Sequence, residues 1–416
     1  MEKKQLSVRL NGMHVGILEQ TQAQSLRFTY DVAASQSISI GMPIREEPYG
    51  ERASQAYFGG LLPESEIVRK IIGKKYGISP NNNFSLLQVI GYDCAGAISC
   101  YAMDEPIIPQ LSFPLTTRIV TEDELYRYIK ELPQTPLFLD VDGLRLSLAG
   151  AQDKAAVCLV DNQIALAENG CPTTHILKPT SSYFEGLAEN EYFCLRIAKQ
   201  IGLSVPDIQL RKIKDITFLL IERYDRRIKD GCVERIHQED FCQASGRLSS
   251  KKYQNEGGPS FEDCFDLLKN TAQPAVDRNQ LASALVFNFL IGNMDAHGKN
   301  FSLLHHSRSN IKLASIYDVV CTRAYSKLSS KMAMKIGTKY EADQVLPRHW
   351  EQLCKDIGYR YISIKDMLEN QSELILKAAA IERDVLLSTQ CNISILDKVI
   401  SVIEKNIDQT LRKFKQ

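Results

Sequence analysis

Asp295 and Asn300 stand in the order Asp-x-x-x-x-Asn within Asn293-Met294-Asp295-Ala296-His297-Gly298-Lys299-Asn300, directly after an apolar run from Leu285 to Ile291. A carboxylate and a carboxamide in that order suit two jobs. The first takes the proton of an attacking hydroxyl, and the second lends an oxygen to a metal on a phosphate chain. Asp318 follows after a segment that reads as a hairpin and adds another carboxylate. Asp295, Asn300 and Asp318 together point to Mg²⁺ bound through oxygen ligands shared with nucleotide phosphates. Taken singly, each is equally a capping or turn residue, because Asn, Asp and Gly favour loops. The ordered set is what suggests phosphoryl transfer.

Such chemistry needs little covalent work from a protein and much positioning and charge neutralisation, so the elements upstream matter. Leu144 to Val160 reads as strand, tight turn, strand, with the turn at Ala149-Gly150-Ala151-Gln152-Asp153-Lys154. Small residues there let backbone N–H groups approach a phosphate, although an ordinary hairpin accounts for the pattern as well. Thr174-His175-Ile176-Leu177-Lys178-Pro179 is a strand with one lysine, either an edge or snorkelling residue or the lysine that meets the α/β-phosphates. The helix Leu187 to Ile201 carries Glu189 and Glu191 near its start, as partners for Lys178 or as acids favoured at a helix N-terminus. Thr217 to Ile221 is an apolar strand running into Glu222-Arg223-Tyr224-Asp225-Arg226, where a kinase backbone would meet adenine and where, alone, only a strand end is legible.

Composition narrows the class. The 416 residues are 44% hydrophobic and 24% charged, with 50 basic and 50 acidic side chains, so neither disorder nor a global attraction to nucleic acid is indicated. The length suits two or three domains. Eleven cysteines without Cys-x-x-Cys spacing argue against a disulfide framework or a zinc site and for reduced, buried thiols in a cytoplasmic protein. The start, Met1-Glu2-Lys3-Lys4, leads into alternating residues rather than a signal-peptide core, and no apolar run is long enough to span a membrane.

The rest of the chain supplies scaffold. Residues 1–45 read as short strands with an Asn11-Gly12 turn. Tyr57-Phe58-Gly59-Gly60-Leu61-Leu62-Pro63-Glu64 is a tight loop. The helix Glu66 to Tyr76, opened by Glu64 or Ser65, offers Ile67, Ile71 and Ile72 as a packing face. A further helix spans Phe84 to Ile90. Pro106, Pro109 and Pro114 mark a linker, and Thr121 with Glu124 forms a capping box. Helices are expected over Glu239 to Ser245, Phe261 to Leu268 and Arg278 to Ile291, then a hairpin of Phe301 to His305 with Ile311 to Tyr317. Beyond Pro347 the chain is mainly helical, ending in an amphipathic helix from Ile393 to Phe414.

The ordered motifs resemble those of the HipA toxin kinases of bacterial toxin–antitoxin modules. The matching stretches are Ser147 to Lys154, Thr173 to Lys178, Glu222 to Arg226, His237-Gln238-Glu239-Asp240-Phe241-Cys242-Gln243, Asn293 to Asn300 and Tyr317-Asp318-Val319-Val320. Gly59 to Glu64 and Gly91-Tyr92-Asp93-Cys94-Ala95-Gly96-Ala97 extend the likeness over nearly the full chain. The His and Lys of the central loop, His297 and Lys299, follow the aspartate rather than precede it, so the kinase is a divergent one.

What the resemblance implies is an α+β, bilobal protein-kinase-like fold with an N-terminal β-rich accessory domain and a mainly helical C-terminal lobe. It divides the chain into an accessory domain (1–107), a lobe with the nucleotide loop (108–225) and a helical lobe with the catalytic and metal loops (226–416). It implies a serine/threonine protein kinase using ATP and Mg²⁺. Asp295 would be the base, and Asn300 and Asp318 the metal ligands. Nucleotide contacts would come from Ala149, Gly150, Ala151, Gln152, Asp153, Lys154, Lys178, Glu222, Arg223, Tyr224, His297, Lys299, Asn300, Tyr317 and Asp318. Ser147 matches the family's autophosphorylated serine, and Ala149 stands where some relatives carry a second. The implied substrate is an aminoacyl-tRNA synthetase. The implied partner is a HipB-type DNA-binding antitoxin, with DNA met only through it and no membrane involved. The competing readings are a small-molecule kinase and a catalytically idle, antitoxin-binding regulator of transcription.

Overall fold

The computed structural model describes residues 4–103, 105, 117–136, 153–168, 171–181, 183–388 and 393–415. The proline-marked linker, Ser147 and the turn residues Ala149 to Gln152 lie outside the described residues.

In chain order the elements begin with β1 (Gln5–Leu10), β2 (Met13–Gln20), β3 (Leu26–Tyr30), α1 (Glu51–Gly60), α2 (Glu66–Tyr76), α3 (Asn83–Ile90) and β4 (Ile98–Ala102). There follow β5 (Thr117–Ile119), α4 (Glu122–Glu131), β6 (Ala155–Val160), β7 (Gln163–Ala167), β8 (His175–Pro179), α5 (Leu187–Gln200), β9 (Ile208–Ile213) and β10 (Ile216–Glu222). Next are β11 (Arg226–Lys229), β12 (Cys232–Arg235), β13 (His237–Asp240), α6 (Phe241–Ala244), α7 (Phe261–Leu267), α8 (Pro274–Ile291), β14 (Ser302–Ser307) and β15 (Asn310–Leu313). The chain closes with β16 (Lys331–Ile336), β17 (Lys339–Glu341), α9 (Pro347–Asp356), α10 (Tyr361–Leu387) and α11 (Ile393–Lys415). They assemble into two compact units, the first made of Met1–Pro179, Leu220–Ser250 and Leu303–Ile311, the second of Thr180–Leu219, Lys251–Ser302 and Lys312–Gln416.

The first unit opens with an antiparallel sheet in the order β3-β2-β1-β4. Its first hairpin turns at Asn11 and Gly12, whose φ values of 51° and 78° match the right-handed strand twist. The fully buried Leu6, Val8, Leu18 and Phe28 form its inner face, and the ring of Phe58 on α1 lies 5.3 Å from that of Phe28. Each such side chain contributes about 1.5–3 kcal/mol on burial. The second sheet includes the order β5-β7-β6-β8-β10. The caps form where the residue types ask for them: Ser65 at α2, Asn82 at α3, and the Thr121–Glu124 box at α4.

Buried charge locks this unit together. Asp93 accepts from Arg226 Nη2 at 2.6 Å and from Thr173 Oγ1 at 2.8 Å, with Arg223 at 3.4 Å and Arg235 at 3.3 Å. Asp225 takes Arg223 Nη2 at 2.9 Å, Arg226 Nη1 at 2.8 Å and the Gly96 N–H at 2.6 Å. Gly96 has φ +73°, and a Cβ there would sit 2.5 Å from the Gln238 nitrogen, so only glycine fits. Burial pushes the Asp93 carboxyl up, but the guanidiniums of Arg226, Arg235 and Arg223 outweigh it and hold the group well below its ordinary value. Beside this network Glu239, fully buried on β13, accepts from Ser39 Oγ, the Ile40 N–H (2.9 Å) and His305 Nε2 (2.9 Å).

The second unit is built on α8, which is buried along most of its length from Leu281 to Ile291 and begins with Pro274 at its first turn. α10 and α11 pack on it, and Trp350 of α9 meets Phe289 edge-on at 5.1 Å. α10 also grips α5: the fully buried Glu382 accepts from Arg196 Nε and Nη2, at 3.1 and 2.9 Å, and from Gln200.

Several local expectations are corrected. Glu239 is a strand residue and not the start of a helix, because Asp240 caps a short α6 through a box with Gln243. Ile67 is 67% exposed, so the packing face of α2 narrows to Ile72 and Gly73. The second strand of the hairpin stops at Leu313. The strand pair β16–β17 was not anticipated at all. Of the eleven cysteines, ten are described; all ten are free thiols, and all but Cys232 are buried. No helix among the described residues is long and apolar enough to cross a membrane.

Candidate active site

In the second unit the central loop grows out of the end of α8. Gly292 caps the helix at φ 79°, and the Asn288 carbonyl receives the Asn293 N–H at 2.9 Å. Asn288 and Asn293 then form a relay of amides. Asn293 Nδ2 donates to Asn288 Oδ1 at 2.8 Å, and Asn293 Oδ1 accepts the Asp295 N–H at 3.1 Å. Met294 is pinned from both sides, its N–H to Thr322 Oγ1 at 2.9 Å and its carbonyl by the Ala333 N–H of β16 at 2.8 Å. The backbone under Asp295 is therefore fixed before its side chain is considered.

Asp295 is half-buried. Its carbonyl accepts the His297 N–H at 2.8 Å and Asn300 Nδ2 at 3.1 Å. That second bond commits the amide nitrogen of the buried Asn300 to the loop, so its oxygen is the group that could serve a metal. Asp295 Oδ1 accepts a hydrogen bond from the phenol of Tyr253 at 2.7 Å, and the Tyr253 ring stands edge-on to His297 at 5.4 Å. Tyr253 did not figure in the sequence reading; it lies 42 residues upstream with no motif around it.

Asp318 is tied to the same loop through its neighbour. The Tyr317 phenol donates to the Lys299 carbonyl and lies 3.2 Å from Ser302 Oγ. Past Asp318, the Cys321 N–H and carbonyl are both taken by the side chain of Asn190 on α5. Between these anchors Asp318 adopts φ +58°, a left-handed conformation that Asp tolerates better than most residues but at a cost. Asp295, Asn300, His297, Lys299, Tyr317 and Asp318 are thus joined by one short chain of hydrogen bonds and backbone.

The donor set fits Mg²⁺ on a nucleotide: one carboxylate and one amide oxygen, to be completed by phosphates and water. Among the described residues no group of three or more His, Cys, Asp or Glu could hold a metal. A cage built by the protein alone is therefore not what Asn300 and Asp318 offer.

In the first unit Lys178 is 5% exposed on β8, which lies between β6 and β10, so it is neither an edge nor a snorkelling residue. An ammonium so placed needs anionic company. Asp153 is exposed and Lys154 half-buried just ahead of β6. Glu222 is exposed and Tyr224 half-buried, while Arg223 is committed to the buried network. Both backbone groups of Arg223 are in use: its N–H donates to Thr174 O at 2.9 Å, and its carbonyl accepts from the Arg226 N–H at 3.0 Å.

Known proteins align with this arrangement. The HipA N-terminal domain family matches residues 6–101, and the HipA-like C-terminal domain family matches residues 146–380. A Sinorhizobium fredii protein named "Putative kinase Y4mE" is 40% identical over 393 residues, covering 91% of this chain and 92% of its own. The serine/threonine-protein kinase toxin HipA of Shewanella oneidensis is 30% identical over 298 residues, covering 68% and 67%. A solved structure of the Shewanella oneidensis HipA, HipB and operator DNA complex superposes with a TM-score of 0.85 at 25% identity, over 99% of this chain and 98% of that one.

Proposed function

Since the chain belongs to the HipA family, we propose that it is a toxin kinase that transfers the γ-phosphate of ATP to a serine or threonine of a protein. The observation that carries this is the linkage of Asp295, Asn300 and Asp318 through the Asn300–Asp295 and Tyr317–Lys299 hydrogen bonds. When bound, ATP would supply the phosphoryl group and Mg²⁺ would neutralise charge on its phosphates. Asp295 takes the proton of the acceptor hydroxyl, a task for a carboxylate within hydrogen-bond reach of that hydroxyl. Asn300 Oδ1 and the Asp318 carboxylate would hold the metal ion. Lys178 meets the phosphates, with Asp153 and Lys154 following the loop of Ala149 to Gln152. His297, Lys299 and Tyr317 line the nucleotide. Adenine is read at Glu222 and Tyr224, and Arg223 anchors that stretch through its buried ion pairs.

The finer parts of the proposal rest on family likeness. The substrate is an aminoacyl-tRNA synthetase, and Ser147 is a self-limiting autophosphorylation site. The cytoplasmic partner is a HipB-type antitoxin, as in the complex of the Shewanella relative, with DNA reached only through it. The three-part division at about residues 107 and 225 belongs to this reading. Its test is incubation with Mg²⁺ and ATP followed by intact mass and site mapping. Phosphate on Ser147 and ADP release support the proposal; a wild type that forms no ADP rejects it.

A further inference from the structure

We propose that Tyr253 is a positioning residue for Asp295, holding the carboxylate of the base in the orientation that accepts a proton. The inference rests on the kinase reading and concerns how its base is aimed.

The loop that carries Tyr253 is built to hold still. Gly257 takes φ +97°, and a Cβ on Gly258 would fall 2.5 Å from the Lys251 carbonyl oxygen, so the turn closes only with glycine there. The Tyr253 carbonyl accepts the N–H groups of Glu256 and Gly258, at 3.0 and 2.9 Å. Gln254 Oε1, on the next residue, accepts the Lys335 N–H of β16 at 2.8 Å. The same strand donates its Ala333 N–H to the Met294 carbonyl at 2.8 Å. β16 is therefore a splint: two of its N–H groups, two residues apart, hold the loop of Tyr253 and the loop of Asp295 in register.

What the splint sets is the 2.7 Å bond from Tyr253 Oη to Asp295 Oδ1. A carboxylate on a loop rotates about χ2 in a broad well; fixing one oxygen fixes the plane of the whole group. The edge-on ring of His297, 5.4 Å from Tyr253, limits the phenol's own movement. A base misaimed by a fraction of an ångström loses rate while substrate binding is spared.

The experiment follows the single turnover of autophosphorylation as ADP formed from Mg²⁺ and ATP, with kcat its limiting rate constant and KM its half-saturating ATP, for six proteins: wild type, Tyr253→Phe, Asp295→Ala, Gln254→Ala, and Tyr253→Phe combined with each of the other two. Tyr253→Phe keeps the ring and removes only the donor. It should lower kcat about tenfold, the scale of one hydrogen bond to a charged group, with the KM for ATP and the melting temperature essentially unchanged. In the Asp295→Ala background the same change should cost nothing further, because the two act as a unit. Gln254→Ala, which loosens the splint, should give a smaller kcat loss that vanishes when Tyr253→Phe is already present. An unchanged kcat in Tyr253→Phe, or an equal loss with and without Asp295, overturns this inference alone. A wild type that forms no ADP overturns the kinase reading and this proposal with it.

Discussion

Asn190 of α5 clamps the backbone of Cys321 from both sides, its Oδ1 accepting the N–H at 2.9 Å and its Nδ2 donating to the carbonyl at 3.1 Å. The pair is buried, and Cys321 lies three residues past Asp318. Helix α5 therefore sets the height of the segment that carries the metal-ligand candidate.

Asn190→Ala should leave the buried Cys321 N–H without its partner and the carbonyl with only the Ala324 N–H at 3.2 Å, at a cost of about 1–3 kcal/mol. The local slack should also weaken Mg²⁺-dependent ATP binding beyond what lost stability explains. Urea titration and calorimetric titration with ATP and Mg²⁺ check the two effects. Unchanged affinity in the folded variant would show that Asp318 does not depend on this clamp.

Asp318 itself offers a separation of stability from function. Glycine adopts φ +58° without strain, a relief of about 1 kcal/mol that offsets what the lost side chain contributes, so Asp318→Gly should stay close to wild type in stability. It should nevertheless lose metal-dependent nucleotide binding, whereas Asp318→Asn, which tolerates the same backbone, should lose less. A large destabilisation of Asp318→Gly would mean that the carboxylate is structural.

The buried network around Asp93 makes the opposite prediction. Asp93→Ala leaves Arg223 and Arg226 buried without one of their two carboxylates and should cost about 3–5 kcal/mol. Because the folded Asp93 carboxyl sits below its unfolded value, its stabilisation is full above the ordinary carboxylate range and is lost as pH falls from there toward the lower folded value. Denaturant midpoints at neutral and acid pH should converge for wild type and variant. A difference that does not narrow at all as pH falls below the ordinary carboxylate range would contradict the assignment.

His237 titrates differently. Burial first, and then the nearby His305 ring, hold its imidazole down at about 3, against a hydrogen bond to the Ile38 carbonyl. The folded value is below the unfolded 6.5, so the unfolded chain takes up the proton first. The fold keeps full stability above that value and loses it as pH drops toward 3, about 2 kcal/mol by pH 5. His237→Gln should flatten that slope between pH 7 and 5 in urea titrations; an equal slope in both proteins would exclude His237 as its source.

What was legible in the sequence follows the range of the interaction that fixes it. The Asn11-Gly12 turn, the Thr121 box and the loop from Asp295 to Asn300 are set by neighbours a few residues away, and each left a local pattern. Tyr253 and Asp295, or Asp93 and Arg226, meet only through the fold, across 42 and 133 residues. Nothing local marks Tyr253, and the motifs that contain Asp93 and Arg226 do not say that the two pair. Glu239 was misread for the same reason, since the Ser39, Ile40 and His305 contacts that bury it come from distant segments. β16 escaped notice because Lys331-Met332-Ala333-Met334-Lys335-Ile336 carries none of the β-branched and aromatic residues typical of strands before its last position.

The central claim, that Asp295 is the base of a protein kinase, is tested most directly by comparing cells that briefly express the wild type with cells that express Asp295→Asn at equal level. Quantitative phosphoproteomics should show phosphoserine or phosphothreonine gained on a small set of proteins in the wild type alone, while the purified variant stays folded and still binds ATP. The same phosphosites appearing with a folded Asp295→Asn protein would contradict the account.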